Sequence, residues 1–484
     1  MIKSNGGIIG PDNVTTGGPF GSASGVFKLG EVTDLIKDSK WPTAGPASYQ
    51  VANSLRFNKG DDPSLSRSTG DGNERIGTFS FWMKSDDEGV IFRIYTDGNN
   101  FFDIGVDGNR QLQVRNKASG SYNLDLRTNQ VFRDPSAWKH IFIVIDTTQS
   151  TESNRAKMFI NGTQVTSFGA STYPSQNDDL FMNANSKTAE ISGTSGVRVN
   201  GYLAEFVLID GTVKAVTDFG EFDEDSGIWK PIDVSGLSGD KGVNGFYLDF
   251  EDSSALGNCA FGGTDFTVSN LAATDQSTDT CTNNFATLNP LYNAYLDPTF
   301  SEGNLKITKD DSWSGAKATI GVSTGKWYWE IKLTGTMTDH QHGVQQENVN
   351  ESAQDPQQLT GTTVFYNHDG GEMRTDGTAT TADYGTFSSG DIMGLALDMD
   401  AGSYGQITIY KNGSAIVSDF NLSSSSTLVM PHFSIDNSTV ECNFGSPPYA
   451  ISSGNADGNG YGNFEYSVPS GYYSLCSKNL AEYG

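Results

Sequence analysis

The sequence predicts an all-β protein, built as two β-sandwich domains joined by an ordered connector and preceded by a short N-terminal arm. Three observations predict it. The 484 residues include 56 Gly, 28 Phe, 19 Tyr and 7 Trp but only 18% charged residues, a composition of tight turns and strand-packing aromatics. No long window repeats its apolar residues every 3.6 positions, as an amphipathic helix requires. Short segments instead alternate apolar and polar residues with a period of two and end in Gly, Asn or Asp turns. The expected boundaries are residues 1–46 for the arm, 47–242 for the first sandwich, 243–294 for the connector and 295–484 for the second sandwich with its C-terminal tail.

The arm is rich in glycine and carries scattered apolar residues, among them Ile8, Ile9, Phe20 and Phe27. A short predicted helix from Glu31 to Ser39 follows, then Trp41 before Pro42. So few apolar side chains cannot build a core of their own. The arm is therefore expected to dock on another protein through Ile8, Ile9, Phe20, Phe27 and Trp41. The alternative is an extension packed on its own domain.

In the first sandwich, Thr78 to Lys84 points Phe79, Phe81 and Met83 one way and Ser80, Trp82 and Lys84 the other, which predicts a half-buried antiparallel strand. Phe101 to Val106, Gln111 to Arg115 and Tyr122 to Leu126 continue the series. Trp138 to Asp146 is almost unbroken in apolar residues and predicts a central strand covered on both faces. Asn161-Gly162 marks a hairpin, because both turn residues must accept positive φ. Gly201 to Asp210 is the last long strand expected.

The connector opens with Phe246, Leu248 and Phe250 in alternation and then turns polar. Asn, Asp, Gly and Thr favour local backbone hydrogen bonds over ladders. Phe261, Phe266, Val268, Leu271, Phe285 and Leu288 still punctuate it. A flexible linker carries no such anchors, so the segment is expected to be ordered.

Beyond it, Gly325 to Leu333 is the clearest strand of the chain, with Trp327, Trp329, Ile331 and Leu333 on one face. Asp391 to Asp400, then Ile407 to Tyr410 with Asn412-Gly413, repeat the strand and hairpin logic of the first sandwich.

The ordered motifs GTFSFWMK, WKHIFIVID, MFINGTQV and GYLAEFVLIDGT resemble the concanavalin A-like or laminin-G-like jelly roll over residues 50–215. GVSTGKWYWEI, GDIMGLALDMD, ITIYKNG, MPHFSI and CNFG resemble a SPRY domain over residues 295–476; the polar stretch Thr336 to Gln358, with its HQH, departs from that pattern and reads as loop. Both resemblances imply stacked antiparallel sheets of jelly-roll type. The connector motifs FEDSSALGN, FTVSNL and TNNFATLNPL, with the tail YYSLCSKNLAEYG, resemble structural proteins of tailed bacteriophages, especially marine ones. Cys259 and Cys281 depart from that pattern, standing where Asp and Pro are common. Four distant cysteines without a C-x-x-C pair read as buried free thiols; because both departures fall in one segment, a Cys259–Cys281 disulfide is the alternative.

Lys and Arg number 31 against 58 Asp and Glu, a formal charge of −27. Such a surface repels nucleic-acid phosphates and anionic headgroups, so neither nucleic-acid binding nor membrane insertion is expected. No run approaches the 18 or so apolar residues of a membrane span. MIKSNGGIIGPDN lacks the apolar core of a signal peptide.

Catalytic signatures are missing. Lys326 is followed by Trp327 where a phosphate-binding loop needs Ser or Thr, and no H-E-x-x-H or G-x-S-x-G occurs. Glu221, Asp223 and Asp225 align by alternation as a glycosidase pair would, yet run into a Ser226-Gly227 turn. His340 and His342 share a face if extended and are the only metal candidates, with Asp339 beside them. Asp97, Asp103 and Asp107, and Asp398 with Asp400, lack the spacing of a calcium loop. No cofactor is expected. Receptor contacts are expected on loops, with Tyr366, His368, Tyr384, Tyr449 and Tyr461 as candidates.

The expectation is a virion protein and not an enzyme, a tail fibre or similar appendage that forms homo-oligomers, trimers by preference. Its arm would hold other virion proteins and its sandwich loops a glycan or protein receptor on the host. A head fibre or capsid decoration is the second reading, a polysaccharide-degrading jelly roll the third.

Overall fold

The computed structural model describes residues 8–9, 26–27, 49–193, 196–224, 226–292, 297–335, 340–347, 363–368, 370–423 and 428–484. The chain falls into two compact units, Met1–Gln50 and Val51–Gly484. In the first, Ile8–Ile9 pairs antiparallel with Val26–Phe27. The predicted anchor residues Phe20 and Trp41 and the predicted helix Glu31–Ser39 lie outside the described residues.

The first sandwich of the large unit stacks two sheets of eight strands. One runs Thr163–Gln164, Ala156–Ile160, Lys139–Asp146, Ile76–Lys84, Gly201–Asp210, Ser54–Phe57 and Gln276–Ser277, with Phe246–Leu248 also paired to Gly201–Asp210. The other runs Phe168–Thr172, Ser121–Val131, Gln111–Ala118, Asn100–Val106, Gly89–Asp97, Thr188–Ile191, Ser64–Ser68 and Thr267–Ser269. Lys139–Asp146 is interior, as its apolar run predicts. The turn Asn161-Gly162 has φ of 48° and 75°. A Cβ on Gly162 would stand 2.3 Å from the Trp229 ring, so glycine there also seats that indole.

The connector is woven into this sandwich. Its Phe246–Leu248 and Gln276–Ser277 extend one sheet and its Thr267–Ser269 edges the other. Phe261, Phe266, Phe285 and Leu288 are buried. The first two join the core of the first sandwich and Leu288 that of the second.

In the second sandwich the sheets are joined through one long strand, Val429–Asn443, which pairs with Lys306–Lys317, Lys326–Thr334 and His340–Gln346. Lys326–Thr334 continues to Ile392–Asp398, Gln406–Lys411 and Ser414–Asn421, and His340–Gln346 to Thr363–Asn367. Asn412-Gly413 turns with φ of 48° and 78°. The chain closes with Tyr473–Ser474, parallel to the Trp-rich strand, and a helix Ser477–Tyr483. Among the described residues no helix is long and apolar enough to cross a membrane.

Two expectations are corrected. Ile76–Lys84 is not half-buried: Ser80, Trp82 and Lys84 are as enclosed as Phe79 and Phe81. The hairpin Gly220–Phe222/Trp229–Pro231 and the connector cover its second face. The described part of the polar stretch from Thr336 is not loop, because His340–Gln346 is an interior strand whose His340, Gln341, His342 and Gln345 have no solvent exposure.

His140 shows what that covering does to chemistry. Trp229 Nε1 can only donate, so its 3.0 Å bond makes His140 Nδ1 the acceptor, and Nε2 carries the proton to Ser80 Oγ at 2.8 Å. Burial pushes the His140 pKa down to about 3. The unfolded chain takes up a proton near pH 6.5 that the fold refuses. Stability is therefore complete above pH 6.5 and falls as pH drops toward 3, by about 1.4 kcal/mol per pH unit from this residue. His140→Gln is expected to remove that part of the slope, measured as denaturation free energy between pH 7 and pH 5.

Candidate functional site

The two sandwiches of the large unit meet across the connector, and polar side chains make the joint. Lys84, at the end of Ile76–Lys84, donates to Asp279 Oδ2 at 2.6 Å, Asn284 Oδ1 at 2.8 Å and the Phe285 carbonyl at 3.1 Å. The other Asp279 oxygen accepts from Trp138 Nε1 at 2.9 Å and from the Phe285 amide at 3.3 Å. Lys84 and Asp279 side chains are each 1% exposed. A buried ion pair is tolerable when its remaining hydrogen-bonding capacity is filled, as here.

Further contacts tie first sandwich and connector to the second domain. Arg56 donates to the Pro447 carbonyl at 3.2 Å and the Thr274 carbonyl at 2.8 Å. Ser277 and Ser446 hydroxyls meet at 2.6 Å, and Thr278 donates to the Gly445 carbonyl at 3.1 Å. A Cβ on Gly445, whose φ is +125°, would lie 2.3 Å from the Phe285 ring, so this approach needs glycine. Tyr202 donates to the Gly303 carbonyl at 2.9 Å.

Beside the joint opens a groove of about 300 Å³. Asn53 contributes from the first sandwich, Ser253, Thr274 and Gln276 from the connector, and Tyr449 and Asn463 from the second domain. No charged side chain lines it. The loop carrying Tyr449 and Asn463 is held from beneath by Glu330, which accepts from the Glu465 and Tyr466 amides at 2.9 and 2.8 Å. Glu330 is fully enclosed, and burial raises its pKa. Across Pro447–Pro448 lies a second cavity, lined by the carboxylates of Asp61, Asp275, Glu302 and Glu441. Arg56 lies 3.4 Å from both Asp275 and Glu302.

Of the predicted loop residues, only Tyr449 lines this groove. Tyr366 and His368 are corrected to core positions: Tyr366 sits in Thr363–Asn367 with its hydroxyl on the Gly385 carbonyl, and His368 is 1% exposed. Tyr384 packs on the second core, and Tyr461 lies under Lys478 Nζ at 5.0 Å. The sequence reading placed Tyr366 on a loop, whereas it lies within a strand with its side chain in the core.

His340 and His342 hydrogen-bond each other at 3.3 Å instead of converging on a shared point, and His340 Nε2 meets Ser438 Oγ. Burial, with neighbouring histidines, holds His342 well below the usual imidazole range. Among the described residues no group of His, Cys, Asp or Glu is arranged to hold a metal ion; Asp339 lies outside them. Cys259 and Cys281 are free thiols, a correction to the disulfide alternative. Cys259 faces the Gly262 carbonyl at 3.7 Å within its own turn, whereas burial, helped by the charges of Glu205 and Asp279, drives the Cys281 pKa up.

The acidic groups are occupied as well. Lys230 bridges Glu221 and Asp223 at 3.2 Å each on an exposed hairpin, where bonds from Ser226 and Lys230 hold Asp223 down to about 2. Asp225 is outside the described residues. Asp103 pairs with Arg115 at 2.8 Å and Asp398 with Lys326 at 2.6 Å, while Asp97 and Asp107 cap their turns. Asp400 accepts from the Gly325 amide at 3.1 Å.

Comparison with known proteins agrees with this architecture. The model of the concanavalin A-like lectin/glucanases superfamily, of laminin G type, matches residues 59–215, and that of the SPRY domain matches residues 326–447. No curated protein matches the chain. Among solved structures, the SPRY domain of human HERC1 is 18% identical, covering 32% of this chain and 96% of its own, with a TM-score of 0.26. The native heptameric SAP-like pentraxin from Limulus polyphemus is 14% identical, covering 34% of this chain and 80% of its own, with a TM-score of 0.27. A human SPRY domain is 16% identical, covering 31% and 94%, with a TM-score of 0.24. The large unit is thus a concanavalin A-like, laminin-G-type sandwich followed by a SPRY domain, the two joined through a shared connector.

Proposed function

We propose that this chain is a virion structural protein of a tailed bacteriophage, a tail fibre or similar appendage that holds the host surface without chemical turnover. The observation that carries the reading is the division into a small unit, Met1–Gln50, and one large unit containing both sandwiches. That division suits an attachment arm followed by a rigid display body. The connector and tail motifs support the phage assignment. Occupation of Glu221 and Asp223 by Lys230 counts against a hydrolase built on that hairpin. Homotrimers fit the same reading, since several copies multiply weak single-site binding.

Gold-labelled antibody on intact particles tests it. Label on the tail is expected, and label on the head moves the assignment to a head fibre or decoration. Deleting residues 1–46 is expected to abolish incorporation while leaving the large unit folded; incorporation without them overturns the anchoring role. Release of reducing sugars from host envelope by the purified protein would sink the non-enzymatic reading.

A further inference from the structure

We infer that the groove between the two sandwiches is a binding site for an uncharged saccharide. The inference deepens the receptor-binding reading above and rests on it. About 300 Å³ lies at the small end of ligand-site volumes and accommodates one or two sugar rings. Tyr449, Pro447 and Ile451 supply apolar surface for the C–H faces of a ring. Asn53 and Asn463 supply amide donors and acceptors for its hydroxyls, and Gln276 an amide acceptor.

Gln276 is held ready. It donates both amide hydrogens to connector carbonyls, at 2.7 Å to Phe250 and 2.9 Å to Glu251. Its Oε1 accepts no hydrogen bond among the described residues and stays available to a hydroxyl donor. The Asn463 side chain likewise makes none among the described residues and lies beside the groove with its full hydrogen-bonding capacity. A fixed amide costs little entropy when a ligand arrives.

Charge selects the ligand class. The groove itself has no charged lining, but the carboxylates of Asp61, Asp275, Glu302 and Glu441 stand just across the proline ridge. Arg56 offsets part of that charge, Lys306, 3.8 Å from Glu441, offsets another part, and Lys332 Nζ lies 4.8 Å over the Tyr449 ring. The remainder and the net charge of −27 disfavour a carboxylated sugar. Neutral hexoses and N-acetylhexosamines meet no such penalty. The site arises only where the connector joins the two domains, and of the loops on which receptor contacts are expected it takes in the one carrying Tyr449.

The test is an array of immobilised neutral hexose and N-acetylhexosamine oligosaccharides, with sialylated and uronic-acid counterparts, probed with the full-length chain. Binding to neutral glycans is expected. Ala273→Trp, which puts an indole at the exposed rim, is expected to abolish it, and Asn463→Ala to weaken it about tenfold. Both variants are expected to melt with the parent protein, since neither residue makes a side-chain bond within the fold. If either variant misfolds, competition by soluble neutral against uronic-acid oligosaccharide on the parent chain decides the ligand class. Neutral-glycan binding unchanged by both folded variants overturns the groove but leaves a receptor-binding appendage in place. Binding confined to acidic glycans, or to none, also overturns it, and particle labelling then judges the appendage reading separately.

Discussion

Asp279→Ala is expected to destabilise the large unit by about 3–5 kcal/mol, the cost of removing one partner from a buried ion pair. The carboxylate takes hydrogen bonds from Lys84, Trp138 and the Phe285 amide. Without it the Lys84 ammonium, 1% exposed, keeps only Asn284 Oδ1 and the Phe285 carbonyl. Two neutral acceptors do not balance a desolvated charge. Lys84→Met should cost a similar amount by stranding the carboxylate. The double change Lys84→Met/Asp279→Ala should recover much of the loss, because it removes both buried charges together. Denaturant unfolding of the four proteins measures this as a double-mutant cycle. A loss below 1 kcal/mol for Asp279→Ala would show that water reaches the joint.

Glu330→Ala is expected to cost about 3 kcal/mol, from several buried donors left without an acceptor at about 1–3 kcal/mol each. The donors are the Glu465 and Tyr466 amides, the Tyr328 hydroxyl at 3.2 Å and Asn443 Nδ2 at 3.3 Å. The consequence is local as well as global, because these bonds hold the loop that carries Asn463. Amide hydrogen exchange at Glu465 and Tyr466 should therefore accelerate more than the change in global stability explains. Glu330→Gln, which keeps one carbonyl acceptor, should fall between. Equal exchange in variant and parent would remove Glu330 from any part in shaping the groove.

Alternation and turn chemistry carried a large part of the architecture. Phe79, Phe81 and Met83 were legible as core, as were Trp327, Trp329, Ile331 and Leu333, because period-two burial is written directly into residue order. Asn161-Gly162 and Asn412-Gly413 were legible as hairpins because few residues accept positive φ. The order in the connector could be read from its spaced aromatics. The site was less legible. Tyr449 was chosen among five loop candidates, and Asn53, Gln276 and Asn463 carry no local signal that separates them from ordinary turn residues.

The sequence by itself determined the β class, the strand faces and the tight turns, all of which depend on neighbours within a few positions. Only the tertiary structure decided which second faces are covered. Lys84, Ser80 and Glu330 alternate with apolar residues and read as the outward set, yet each is enclosed. A period of two sorts side chains into two faces but holds no information about whether another layer lies over the second. That layer comes from far along the chain: Asp279 is 195 residues from Lys84, and Tyr466 is 136 from Glu330. The groove exists for the same reason, since its walls are brought together only when the connector packs between the sandwiches.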